Sequence, residues 1–224
     1  MLTLTELLQN SHWATGLSRD ELARASAGTT ERAVAEGGYV CHKGEPVEHW
    51  IGIVDGLVKI SNFSFEGKAI TFTGVPPGGW FGEGSLMKSE LRKYDVVALQ
   101  DSRVAYMNRG TFHWLLDHSI SFNRFLIAQL NERLAQAYAR IESDCLLGPD
   151  GRVARCLANL FNPVLYPGLG RQLRVSQEEL GYLTGLSRQR VNRALAALAE
   201  QNLLRARYGR IEVLDLDGLR GYSG

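Results

Sequence analysis

From Gly37 to about Val104 the chain alternates short apolar runs with glycine punctuation: "GGYVCHKGEP", "WIGIVDGLVKISNF", "AITFTGVPPGGWFGEG" and "YDVVALQDSRVAYM". These pieces have strand length, are rich in Val, Ile, Tyr, Phe and Thr, and break roughly every eight to twelve residues, which predicts a small antiparallel barrel or sandwich. Gly44, Gly56 and Gly67 fall where its turns need positive φ. After Gly110 the period changes. From Thr111 to about Leu146 there is neither glycine nor proline, and Phe122, Phe125, Leu126, Leu130, Leu134, Ala137, Tyr138 and Ile141 recur at helical spacing. The pattern predicts one long amphipathic helix. Its stripe either covers the barrel or forms a self-association seam. It is longer than one small barrel can cover, which favours a homodimer. "GPDG", Gly148 to Gly151, predicts a turn and a domain boundary.

Beyond that boundary, "VSQEELGYLTGLSRQRVNRALAALAEQNLL" reads as two helices around a tight turn. Ser176 with Glu179 has the spacing of a capping box, and Leu180 and Leu183 face inward on the first helix. Thr184-Gly185-Leu186 is the turn. Ser187 caps the second helix, which carries Val191, Ala194, Leu195 and Leu198 on one face. A short helix, a glycine turn and a striped second helix make a helix-turn-helix. The opposite face of the second helix carries Arg188, Gln189, Arg190, Asn192 and Arg193. Cations at a helix N-terminus oppose the macrodipole, costing about 0.3 to 1 kcal/mol each when exposed. Their crowding there makes sense if phosphates and base edges complete the site, since Arg, Gln and Asn can bond guanine and adenine bidentately. "LLRARYGRIEVLDL" follows as a hairpin wing about Tyr208-Gly209, with Arg205, Arg207 and Arg210 placed to contact a DNA backbone.

Charge sharpens this picture. The 224 residues carry a formal net charge of +1, but residues 152–224 hold eleven arginines, no lysine and six acids. A basic third in a neutral chain points to a polyanion. With 45% hydrophobic residues the chain can bury a sizeable core, and no run approaches a membrane span. Without a basic n-region before an apolar stretch, the N-terminus predicts no secretory signal. Cys41, Cys145 and Cys156 form no CxxC pair and no metal-site spacing, as expected of reduced thiols in a cytoplasmic protein.

In their order along the chain these pieces resemble the Crp/Fnr family of bacterial transcription regulators. "GGYVCHKGEPVEHWIGIVDGLVKI" resembles the entry to the family's β-roll, and "GGWFGEGSL" resembles its phosphate-binding cassette. The long helix resembles its dimer helix, and "VSQEELGYLTGLSRQRVNRALAAL" closely matches its DNA-reading motif. The resemblance implies an α+β chain in three parts. Residues 1–110 form a jelly-roll-like β-roll with N-terminal helices, 111–147 the dimerisation helix, and 148–224 a winged helix-turn-helix. It also implies a homodimer that binds a pseudo-palindromic operator and recruits or blocks RNA polymerase. Base reading falls on Arg188, Gln189 and Arg193, with Ser176, Ser187, Arg190, Asn192, Arg207 and Arg210 around them. Where many members have glutamate this chain has Gln189, which can donate as well as accept and should change one base preference.

The resemblance places an effector at Gly82, Glu83, Gly84, Ser85, Arg92, Lys93, Tyr94 and Tyr138. Three departures count against cyclic AMP. Lys93 falls where an arginine would fork a phosphate, Asp95 brings a negative charge near the anion, and Ala137 removes a hydroxyl from a hydroxyl pair. On this reading the cassette survives as scaffold with Glu83 bonded internally, and the effector is unknown. A cyclic-nucleotide receptor remains the alternative. The cysteine cluster of iron–sulfur members is missing. Haem would need one of His12, His42, His49, His113 or His118. A cupin-type metalloenzyme would need clustered histidines and there is no HxH. A hydrolase would need GxSxG or a Ser-His-Asp set, and neither is found. The expectation is a regulator with no enzymatic activity, no metal and no membrane association.

Overall fold

The computed structural model describes residues 3–63, 69–207 and 209–223, so Gly67 and Tyr208 lie outside the described residues. Two short helices open the chain, α1 (Leu4–Asn10) and α2 (Arg19–Ala27), each started by a capping box, at Thr3/Glu6 and Ser18/Glu21. Eight strands follow: β1 (Thr29–Val34), β2 (Tyr39–Cys41), β3 (His49–Asp55), β4 (Val58–Phe63), β5 (Ala69–Val75), β6 (Trp80–Phe81), β7 (Asp95–Ala98) and β8 (Ser102–Asn108). They form two antiparallel four-stranded sheets, β1-β8-β3-β6 and β2-β7-β4-β5. Gly44 (φ +86°) and Gly56 (φ +98°) turn the chain at positive φ, as their positions predict. Ile51, Ile53, Val58, Phe81, Val96 and Val104 fill the space between the sheets. β1 is a strand the alternation did not predict. Its sequence TTERAV buries only Thr29, because it lies at a sheet edge against β8 with Glu31 ion-paired to Arg103 at 2.7 Å.

Between β6 and β7 sits the short helix α3 (Glu83–Met87), entered through Gly82 at φ +96°. After β8 the predicted single helix is two: α4 (Arg109–His118) and α5 (Ile120–Leu146). Ser119, extended at φ −113° and ψ 108°, ends one and N-caps the other through its Oγ and the Phe122 N–H. Asn123 reaches back to the Leu116 and Ser119 carbonyls, which satisfies the broken turn. Nothing in apolar spacing marks such a break, because the stripe continues through it. The first part of α5 buries Phe122 and Leu126 in a cluster with Trp13, Trp50, Trp80 and Phe112. Its later part leaves Ile127, Leu130, Leu134, Tyr138 and Ile141 exposed, Leu134 by 50%.

The reading domain begins sooner than a four-residue turn would allow. Gly148 N-caps α6 (Pro149–Leu160), so Pro149 to Gly151 are already its first turn. Then come β9 (Gln172–Arg174), α7 (Gln177–Thr184), α8 (Arg188–Glu200), β10 (Leu204–Arg207), β11 (Arg210–Val213) and α9 (Leu216–Gly221). The strands form a sheet ordered β10-β11-β9. This domain packs onto the β-roll. Leu57, from the turn before β4, is buried in the reading domain's own core with Leu157, Leu160 and Leu183. Gly74 of β5 leaves room only for Leu160, whose Cδ2 would lie 2.8 Å from an added Cβ.

Candidate functional sites

The reading head is built as its sequence predicts. Ser187 accepts from the Arg190 N–H at 3.4 Å and starts α8, while Gly185 makes the turn from α7 at φ +66°. Val191, Ala194, Leu195 and Leu198 are buried; Arg188, Gln189, Arg190, Asn192 and Arg193 are exposed. Among the described residues, the side chains of Arg188, Gln189, Arg190 and Arg193 take part in no ion pair or side-chain hydrogen bond, so their donors face outward. Asn192 is held, accepting from Gln177 at 3.0 Å across the two helices. Ser176 caps α7 through the Glu179 N–H at 3.1 Å, but the predicted box does not close. The Glu179 carboxylate turns instead to Lys59 of β4, with both oxygens 3.2 Å from Nζ.

The wing adds a residue that sequence spacing could not find. Strand register sets Arg207 opposite Arg210, and Arg210 opposite Arg174 of β9, a row of three cations across adjacent strands. Directly opposed like charges destabilise a sheet by a few tenths of a kcal/mol to about 1 kcal/mol. No ion pair with a carboxylate is found for any of the three among the described residues; the neighbouring Arg205 has Glu212 at 3.6 Å. Arg174 carries no local signal, because its place depends on pairing β9 with a strand 36 positions later.

The cassette departs from its sequence reading in an instructive way. Arg92 is buried at 4% exposure, and its Nη2 donates to the His49 carbonyl at 3.0 Å. Its Nη1 has no partner and lies 2.4 Å from where a Cβ on Gly82 would be, so only glycine admits it. Lys93 points away, 62% exposed, to Glu90 at 3.2 Å. Asp95 is bonded elsewhere, accepting from the Lys43 N–H at 2.9 Å. Arg92, and neither Lys93 nor Asp95, therefore faces the loop of Gly82, Glu83, Gly84 and Ser85, so two of the three departures lose their force. Ala137 keeps its own, having no side-chain donor or acceptor.

Glu83 is buried and bonded internally, to Arg133 Nε at 3.0 Å and to Trp50 Nε1 at 3.4 Å. Arg133 also donates to the Trp80 carbonyl, beside Gln129 at 3.3 Å. Arg133 was not singled out from sequence; its signal is position, one turn before Ala137 on the same face of α5. Burial, reinforced by the Glu83 charge, pushes the Tyr94 hydroxyl up to about 12, so it stays protonated beside this cluster. Tyr138 is exposed and away from these contacts. Among the described residues no group of three His, Cys, Asp or Glu side chains is arranged to hold a metal ion. No helix there is long and apolar enough to cross a membrane.

Two family descriptions match the chain in order: the cyclic nucleotide-binding domain over residues 31–119, and the Crp-like helix-turn-helix domain over residues 151–222. The transcriptional regulator SdrP of Thermus thermophilus is 32% identical over 170 residues, which is 75% of this chain and 80% of that protein. The chain belongs to the Crp/Fnr family. The cAMP-activated global transcriptional regulator CRP of Escherichia coli is 30% identical over 169 residues, 74% of this chain and 80% of that one. FixK2 of Bradyrhizobium japonicum shares the Crp/Fnr fold, with a TM-score of 0.72 at 20% identity over 88% of this chain and 98% of that one. SdrP and CRP are transcription regulators rather than enzymes, and the β-roll, long helix and winged helix-turn-helix above are the family's parts in its order.

Proposed function

We propose that this Crp/Fnr protein is a cytoplasmic homodimer that reads a pseudo-palindromic operator with α8 and answers to a small anion at the cassette. The observation that carries the reading is the outward face of α8, where Arg188, Gln189 and Arg193 present donors that no protein group among the described residues uses. Arg193 and Gln189 read base edges, while the row Arg207, Arg210 and Arg174 grips phosphates. The exposed stripe of α5 supplies the dimer contact, with Ile127, Leu134 and Ile141 at heptad spacing. Bound to its operator, the dimer would meet RNA polymerase.

The test is selection of binding sites from genomic DNA fragments with purified protein, followed by affinity measurements. Arg193→Ala should lose about 1 to 3 kcal/mol and relax one base pair per half-site. Arg207→Ala should weaken all sequences alike and flatten the salt dependence. No enriched sequence under any effector condition would refute the reading.

A second reading, a cyclic-nucleotide receptor, draws support from Arg92. Its free Nη1 supplies in the cassette the cation that Lys93 does not. The purine contact stays weak at Ala137, so a ligand recognised through its phosphate fits these residues better than one recognised through adenine.

A further inference from the structure

Two residues of the reading domain lie inside the β-roll. Leu165 and Tyr166, in the connection from α6 to β9, are each 2% exposed and pack with Ile53, Val58, Val75 and Phe81 between the two sheets. The connection is built to present them. Asn162 Oδ1 accepts from the Val164 and Leu165 N–H groups at 2.9 and 3.0 Å, and its Nδ2 donates to Glu132 of α5 at 2.7 Å. The Tyr166 N–H donates to the Asn162 carbonyl at 2.9 Å, which closes the turn. The β-roll is shaped to receive it. A Cβ on Gly79 would stand 2.8 Å from Tyr166 Cδ1, and one on Gly168 would stand 3.1 Å from the Pro77 carbonyl carbon. Glycine at both positions lets ring and backbone come this close.

The ring ends at the cassette cluster. The Tyr166 hydroxyl feels the charges of Arg133 and Glu83, as does the Tyr94 hydroxyl. Burial pushes it above the ordinary tyrosine value, with Arg133 offsetting part of this, so it stays an O–H donor. Its polar neighbours are committed elsewhere: Arg133 to Glu83 and the Trp80 carbonyl, and Thr73 Oγ1 to the Gly74 carbonyl at 3.1 Å. Near both but aligned with neither, the Tyr166 hydroxyl is shut from solvent without a hydrogen-bond partner among the described residues. A buried hydroxyl left unmet is a cost, and phenylalanine would fill the same space without it. A phenol here suits a side chain that is not always in place, because outside the barrel its hydroxyl regains water.

We propose that Tyr166 is a tethered occupant of the effector site. With the reading domain docked, its ring fills the space that the organic part of an effector would take once its anion meets Arg92. An effector must displace Tyr166, and with Tyr166 goes the reading domain's hold on the β-roll. The docked arrangement is autoinhibited, and effector binding and release of the reading domain are coupled. This names the regulation of the cassette, and its consequence at DNA rests on the regulator reading above; the competition for space does not.

Titration of the full chain with cyclic AMP tests the competition, because this probe carries both an anion for Arg92 and rings that need the space. Tyr166→Ala should bind it about tenfold more tightly, or better, than the unaltered chain. Tyr166→Phe keeps the plug and removes the unmet hydroxyl, so it should bind more weakly than the unaltered chain. Gly79→Ala pushes the ring out from the β-roll side and should tighten binding as well; it serves if Tyr166→Ala does not fold. Equal affinity in Tyr166→Ala and the unaltered chain, or no saturable binding in either, overturns the proposal. Without any ligand, Tyr166→Ala should also bind the selected operator more tightly, and no gain there overturns the autoinhibition. Tighter cyclic AMP binding by Tyr166→Ala in a protein that selects no DNA sequence would leave the competition standing and sink the regulator reading.

Discussion

At the scale of single residues the cassette turns on which of two adjacent cations faces inward. Arg92 and Lys93 cannot be told apart by position along the sequence, because the strand after them sets the side-chain alternation and its register is tertiary. Backbone bonds fix the choice: Arg92 donates its N–H to Glu45 at 2.9 Å and accepts from Gly44 at 2.9 Å, which holds its side chain under Gly82. Glu83 was legible as an internally bonded carboxylate, but its partner Arg133 was not. Titration with cyclic AMP and cyclic GMP follows from this geometry. If an anion is held here, Arg92→Leu should weaken its binding about tenfold or more while Lys93→Ala leaves it unchanged. Equal losses in the two variants would show that net charge, and not the inward guanidinium, holds the ligand. Gly82→Ala should also abolish binding, since a methyl group there needs a left-handed backbone and displaces Arg92 Nη1.

At the scale of elements, what could be read early is what local chemistry dictates. Ser187, Gly185 and the stripe of Val191, Ala194, Leu195 and Leu198 specify α8 without help from the rest of the molecule. What could not be read depends on distant partners. β1 is polar because it is an edge, and Glu179 abandons its capping box for a lysine 120 residues away. The break at Ser119 belongs to this class, since a serine within a helical pattern gives no warning until its Oγ is seen as a cap. α5 itself divides its stripe between two duties. Phe122 and Leu126 serve the tryptophan cluster, while Ile127, Leu134 and Ile141 stay exposed and belong to no core cluster among the described residues. Leu134→Glu should therefore leave the monomer folded, because its side chain touches no core, yet shift sedimentation to the monomer and cost most of the operator affinity. A variant that stays dimeric would move the seam elsewhere.

At the scale of the whole molecule the two domains are held by few polar contacts of known position. Lys59 and Glu179 are each about one-fifth exposed and join the β-roll to the first reading helix, with Lys59 Nζ also 5.2 Å from the centre of the Tyr182 ring. A pair so sheltered is worth on the order of 1 kcal/mol, small beside folding but large beside the equilibrium between two domain positions. Lys59→Glu should loosen the docked arrangement, seen as faster proteolysis near residues 147–148 and a larger radius in scattering. Adding Glu179→Lys should restore both. Failure of the double variant to recover would show that the apolar contact of Leu57, and not the ion pair, holds the domains. The tryptophan cluster carries a consequence of another kind. The Trp50 indole N–H is bonded to Glu83, and the Trp80 carbonyl to Arg133. Indole emission follows the charge and hydrogen bonding around the ring. Any ligand that takes Glu83 or Arg133 for itself must therefore change the colour of the protein's own fluorescence, and the chain reports the state of its cassette with no dye attached.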